Sequence, residues 1–361
     1  LFHRNAITAI VTASLFAFVG CSASAPIEGS VPTPTPAPAR LSAVTIPDRT
    51  EVTQPVVSPE PVRDTHIIYS SRSGSAAHQI HRMRTDGSER VRLTDDAAHE
   101  HHWARPSPDG SQILFYKAEP GATVNDIETN SLWVMDSDGS NQRELIPAGS
   151  HGWTRQGHVE WSPDGETLLM TAGARELDIW TTDTEGTNPE QITDRRNALG
   201  DSVTAIDPSW TPDGRSIMYV GCPVENTLCW WWDQEVYIMD LGTGTETRLT
   251  FDNEADFDPY LSPDGETIVW LRCSGSFPFG PWGLYKMPAD GTGEPSSLLD
   301  DGQINSNADF SHDGSTLLFT RHVIGGVAWM TAARIGVDGT GLAFVGGQPS
   351  PTGETEAVYW P

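Results

Sequence analysis

Apolar residues in this chain come in short runs separated by polar turns, and no stretch carries helical spacing long enough for a packed helix. Five runs share one frame: Ile113-Leu114-Phe115, Leu168-Leu169-Met170, Ile217-Met218-Tyr219, Ile268-Val269-Trp270 and Leu317-Leu318-Phe319. Each begins six residues after a Ser or Thr that opens a turn. These turns are Ser107-Pro108-Asp109-Gly110, Ser162-Pro163-Asp164-Gly165, Thr211-Pro212-Asp213-Gly214, Ser262-Pro263-Asp264-Gly265 and Ser311-His312-Asp313-Gly314, spaced 49 to 55 residues apart. Proline presets φ and glycine supplies a left-handed position, so each turn ends one strand and starts another.

A second register follows about 20 residues later, where an apolar pair precedes an Asp-Gly-like turn: Leu132-Trp133 before Asp138-Gly139, Ile179-Trp180 before Glu185-Gly186, Leu284-Tyr285 before Asp290-Gly291. One more short strand closes each unit, as at Arg248-Leu249-Thr250. Each unit therefore predicts a four-stranded antiparallel meander, which cannot bury both faces alone and needs neighbours. Residues 64–361 hold about six units. The first lacks a leading strand, and Tyr359-Trp360-Pro361 falls where one is due. The expected fold is all-β: a six-bladed β-propeller of four-stranded antiparallel blades, closed by N- and C-terminal strands sharing one blade.

Ahead of the repeats, residues 1–20 read as a signal peptide: His3 and Arg4 precede an uncharged run from Ala6 to Gly20, shorter than the roughly 20 residues that span a bilayer. The run ends in Phe18-Val19-Gly20-Cys21, which resembles a bacterial lipobox and implies lipidation at Cys21. Residues 21–63 add a proline-rich segment, with Pro32, Pro34, Pro36 and Pro38 in alternation, expected to be a disordered tether.

The Trp161-Ser162-Pro163-Asp164-Gly165 anchor and its relatives, with turns such as Met135-Asp136-Ser137-Asp138-Gly139, resemble the WD40-like (PD40) propeller repeat of the TolB family. The resemblance covers nearly all of residues 64–361 and implies a TolB-like propeller. TolB itself carries a small α/β domain ahead of its propeller; here that place is taken by the tether. The same blade serves periplasmic binding proteins, oligopeptidase lids, sugar lyases and sensors, so function has to be argued from the site.

Lys+Arg 22 against Asp+Glu 49 give a formal charge of −27. Such a surface repels phosphate backbones and anionic lipid, which argues against nucleic acid as a partner and leaves the lipid anchor as the contact with membrane. No Gly-x-Ser-x-Gly elbow occurs, and no glycine-rich loop opens a helix. The Asp136-x-Asp138-Gly139 sequence lacks the distal glutamate of a calcium loop and reads as a hairpin turn.

Counting four residues back from each Ser/Thr anchor gives Trp103, His158, Asp207, Asp258 and Asn307, expected as a ring at the channel mouth and as candidate ligand contacts. The crossings between blades are long, and binding is expected on that face. Arg105 lies on one of them. Imidazole and carboxylate suit a divalent metal, and His99, His101, His102 and His158, with Asp207 and Asp258, are the candidate ligands. The alternative is a polar channel with solvated loop histidines and no cofactor. Cys222 and Cys229 bracket a six-residue loop and are a candidate disulfide, with Cys273 left as a thiol. Within Trp230-Trp231-Trp232, read as the start of a strand, Trp231 would point opposite its neighbours. Trp231 and Trp282, with Phe277 and Phe279, are candidate ligand-stacking aromatics, whereas Trp133, Trp161, Trp180 and Trp210 recur in register and are expected in the core.

These readings favour an exported, lipid-anchored monomeric binding module facing the periplasm or cell exterior, recognising an envelope protein, peptide or glycan. The alternative is a metal-dependent, oligosaccharide lyase-like enzyme using the His/Asp channel.

Overall fold

The computed structural model describes residues 65–72, 77–122, 126–226, 231–252, 254–274, 281–322, 330–347 and 353–361. The leader, Cys21 and the tether lie outside the described residues.

Strands dominate. The first meander is β1 (His66–Ser71), β2 (Gln79–Arg84) and β3 (Val91–Arg92). The second is β4 (Glu100–Pro106), β5 (Gln112–Ala118), β6 (Ser131–Asp136) and β7 (Arg143–Ile146). The third is β8 (Arg155–Trp161), β9 (Thr167–Gly173), β10 (Asp178–Asp183) and β11 (Glu190–Gln191), and the fourth is β12 (Ala205–Trp210), β13 (Ser216–Gly221), β14 (Glu235–Asp240) and β15 (Thr245–Arg248). Next come β16 (Ala255–Leu261), β17 (Thr267–Cys273), β18 (Trp282–Pro288) and β19 (Ser296–Leu299), then β20 (Ile304–Phe310), β21 (Thr316–His322), β22 (Met330–Gly336) and β23 (Ala343–Phe344). β24 (Thr355–Tyr359) pairs antiparallel with β1, so the first meander takes its leading strand from the other end of the chain.

The other meanders keep sequence order, and a single parallel bridge between Trp282 and Ile304 joins the last two into one sheet. No sheet closes on itself among the described residues. Leading strands touch in succession instead: β4 on β8, β8 on β12, β12 on β16, β16 on β20, and β24 on both β20 and β4.

The repeated turn explains why each leading strand stops where it does. Ser107 Oγ donates to Asp109 Oδ1 at 2.6 Å and accepts the Gln112 N–H at 3.0 Å, while Asp109 Oδ1 accepts the Ser111 N–H at 3.0 Å. Gly110 sits at φ 69°, a left-handed position that closes the turn without a Cβ penalty. Ser162, Thr211, Ser262 and Ser311 repeat the bond to their aspartates. The second strands supply the apolar filling between sheets: Phe115, Met170, Tyr219, Trp270 and Phe319 are fully buried. Trp133, Trp161, Trp180 and Trp210, expected in the core, are only half-buried and pack at its margins.

At the seam made by both chain ends, Glu356 Oε2 accepts the Trp103 N–H at 2.6 Å and the Ser70 hydroxyl at 2.9 Å, all three buried. Replacing Glu356 by Ala leaves two buried donors without acceptors and should cost about 3 kcal/mol, with Gln costing roughly half that. Denaturant midpoints at unchanged m-value read this directly, and an unmoved midpoint for the alanine variant would mean that β24 does not hold the seam.

Candidate functional site

Each leading strand carries a bulge at one position. In β4, His102 pairs with Tyr116 and Arg105 with Leu114, so Trp103 and Ala104 together oppose one residue of β5. The same shift recurs in β8, β12, β16 and β20, and β24 shows one against β1. At these bulges Trp103, His158, Asp207, Asp258, Asn307 and Glu356 all take positive φ, between 46° and 55°. Five are the residues counted back from the turn anchors. Glu356 is the sixth.

The ring residues meet across sheets. The His158 imidazole packs edge-on against the Trp103 indole, with centroids 4.0 Å apart. Gly157 allows this, because a Cβ there would lie 2.8 Å from the Trp103 ring. His158 Nε2 is 3.1 Å from Asp207 Oδ1, and Nδ1 is 3.8 Å from Asp258 Oδ1 on β16. Burial raises the Asp207 carboxyl well above the usual carboxylate range, with the Asp258 charge adding to it, and burial raises Asp258 to about 6. Burial, helped by Arg105, lowers His158 to about 3. The three side chains can share a proton, and their donor atoms lie close enough to hold a cation.

Two residues further along each strand a second layer forms. Tyr260 Oη donates to Glu160 Oε1 at 2.9 Å, Arg105 Nη2 reaches Tyr260 Oη at 3.5 Å, and Arg105 Nε stands 4.0 Å from Glu160 Oε1. Burial opposes the Arg105 charge, but Tyr260, Glu160 and Asp309 hold it firmly protonated. Burial lifts Glu160 to about 7. This layer floors a cavity of about 340 Å³ whose walls include Trp161, Trp210, Phe310 and Tyr359, with Pro108, Pro163 and Pro212 from the short turns and Pro361 after β24. The cavity thus belongs to the short-turn end, although loop length pointed to the opposite face. Arg105 reaches it because it lies within β4 rather than in a crossing.

The candidate metal histidines part company. His158 joins Asp207 and Asp258. His99 bonds Asp96 through Nδ1 at 2.8 Å. His101 is buried against Phe115, and burial lowers it to about 4. His102 lies beside His78 and Glu100, a pair that carried no sequence signal because His78 falls outside the repeat frame. Burial works against the Glu100 charge, yet hydrogen bonds from His78 bring it to about 2. A third cluster, Glu235, Asp252 and Asp256, already holds guanidinium groups: Arg272 bonds Asp252 and Asp256, and Arg248 bonds Glu235.

Trp282 is buried against Phe257 rather than displayed. Trp231 opens a short 3-10 turn, Trp231–Asp233, ahead of β14, so Trp231 and Trp232 precede the strand instead of starting it, and Trp230 lies outside the described residues; Trp232 is exposed. Phe277, Phe279 and Cys229 lie outside the described residues. Cys222 is disulfide-bonded, and Cys273 is a buried thiol.

No family model matches the chain. It is 34% identical over 106 residues to an uncharacterized protein of Agrobacterium fabrum, covering 28% of this chain and 35% of that one. It is 26% identical over 167 residues to a TolB homolog of Chlorobium chlorochromatii, covering 45% and 31%. The chain thus matches about a third of the length of these curated relatives. Among solved structures, TolB from Acinetobacter baumannii superposes with TM-score 0.64 at 20% identity over 82% of this chain and 67% of that one. A putative TolB from Agrobacterium tumefaciens gives 0.54 at 18% identity, over 83% and 99%. The fold is a TolB-like β-propeller.

Proposed function

We propose that this chain is a recognition module: a six-bladed propeller, closed by its two terminal strands, that is exported and held at the cell envelope through Cys21. It takes a segment of an envelope protein, peptide or glycan into the short-turn end of its channel. The observation that carries this reading is the cavity over Arg105, Glu160 and Tyr260. Its rim of proline and aromatic side chains offers flat apolar contact, while its floor offers one guanidinium and a hydroxyl for a polar group of the ligand. The TolB-like fold is consistent with a scaffold whose turns present such a surface.

Capture of envelope components on immobilised protein tests it. Arg105→Gln and His312→Ala, both on the cavity, should each weaken capture about tenfold, the loss typical of one interface anchor. Trp232→Ala, on the opposite set of loops, should leave it unchanged. Equal capture by all three variants would refute the site, and loss confined to Trp232→Ala would move it to the other face. The alternative, metal-dependent action on an oligosaccharide, rests on His158, Asp207 and Asp258; it requires that His158→Ala abolish turnover of a sugar-acid substrate by the wild-type protein.

Glu160 also makes a stability test. Its folded pKa of about 7 lies above the ordinary glutamate value, so the folded state binds more protons between about pH 4.5 and 7, and stability falls as pH rises through that window. Glu160→Gln removes the titrating group. Chemical denaturation at pH 5 and pH 8 should show a smaller loss in the variant than in the wild type; identical losses would place the titration elsewhere.

A further inference from the structure

We propose that His78, Glu100 and His102 bind one divalent transition-metal ion of the zinc class, clamping the meander made by both chain ends to its neighbour. His78 precedes β2, and Glu100 and His102 lie in β4, so the three come from two sheets. His78, Glu100 and His102 each present a ligand atom within 4.8 Å of the others, and His102 Nδ1 is 3.7 Å from Glu356 Oε1.

The second observation is an unsatisfied centre. The His102 side chain is 2% exposed and that of Glu356 1%, yet among the described residues no hydrogen bond of ordinary geometry reaches either ring nitrogen of His102 or Glu356 Oε1. Buried polar atoms are rarely left so. The remaining carboxylate oxygens are anchored: Glu356 Oε2 by Ser70 and Trp103, Glu100 Oε1 by the Gly121 N–H at 3.1 Å, and Glu100 Oε2 by the His78 N–H at 2.7 Å. Such bonds orient metal ligands and fix which oxygen is offered.

Distances fit as well. A tetrahedral set with bonds of about 2.0–2.1 Å places its ligand atoms roughly 3.3–3.4 Å apart. The 2.9 Å contact between His78 Nδ1 and Glu100 Oε2 needs to open slightly, and the other separations, within 4.8 Å, need to close onto the ion. Two imidazoles with a carboxylate favour zinc or a neighbouring first-row ion over magnesium or calcium, which prefer all-oxygen sets. The channel cluster differs in that both His158 nitrogens already face carboxylates, and the Glu235 cluster is filled by arginines.

The test is zinc titration of chelator-treated full-chain protein by calorimetry, with thermal unfolding followed in parallel. Wild type and His158→Ala should bind one equivalent at this site and unfold at a higher temperature with zinc. His78→Ala, at the partly exposed edge, and His102→Gln should each bind at least tenfold more weakly and lose the zinc-induced shift. X-ray absorption of the zinc-loaded wild type should report two imidazoles with oxygen ligands. Absence of stoichiometric binding by the wild type, unchanged binding by His78→Ala, or loss only in His158→Ala would each overturn the proposal.

Discussion

The left-handed bulge in each leading strand is the constraint on which the site depends. A non-glycine residue held there costs on the order of 1–3 kcal/mol, and this fold accepts it six times over. Local bonds offset part of it. The Asp207 N–H donates to Thr171 Oγ1 at 3.2 Å and the Glu356 N–H to Thr320 Oγ1 at 2.9 Å, each hydroxyl coming from the preceding meander. A bulge also re-aims the side chains around it. That is how His158 on β8 comes to face Asp258 on β16, two meanders away, and how Arg105 on β4 reaches Tyr260. The two polar layers follow from one backbone irregularity repeated in register.

Charge is the second constraint, because a protein with this acidic excess still buries carboxylates. It does so mostly with arginine. Arg272 takes Asp256 through two nitrogens, Arg195 takes Glu246 likewise, and Arg90 reaches the wholly buried Glu354. Guanidinium groups fit carboxylates in two-point geometry and do not give up their proton. Two clusters are built around imidazole instead, one at His158 and one at His102. Neutral imidazole coordinates metals, so these two clusters are where buried carboxylates can be shared with a cation from solution.

Much of this was legible because turn chemistry repeats. The Ser/Thr-x-Asp-Gly anchors mark where leading strands end, and a fixed count back from them finds Trp103, His158, Asp207, Asp258 and Asn307. Glu356 escaped the count because its strand runs into Trp360 and Pro361, without the hydroxyl that opens the other turns. His78 escaped because it lies just ahead of β2, outside the repeat frame, and meets Glu100 only after the sheets pack. The cavity over Arg105 was not legible in loop length: side chains two residues beyond the bulge line it, and their direction depends on an irregularity that strict strand alternation does not contain. The tryptophan run was misplaced for a related reason, since aromatic content favours a strand whereas the chain makes a 3-10 turn there before β14.

The seam between the chain ends brings these strands of argument together. Elsewhere the bulge N–H of Asp207 finds a threonine hydroxyl on the preceding meander. At Trp103 the corresponding hydroxyl is Ser70, which turns instead to the Glu356 carboxylate, and that carboxylate takes the Trp103 N–H as well. Trp103 and Glu356 stand 253 positions apart, so this contact joins parts of the chain that are far apart in sequence. Closing so long a loop carries a large entropic penalty, most of which is already met once the last meander has packed. A charge-assisted bond is a suitable final link, being stronger than a neutral one and directed through two donors. The same carboxylate turns its other oxygen toward His102, so the group that joins the ends also faces the one buried imidazole whose two nitrogens lack hydrogen bonds among the described residues. A cation held by His78, Glu100 and His102 would tie the meander made by both chain ends to its neighbour, beside the carboxylate that joins those ends.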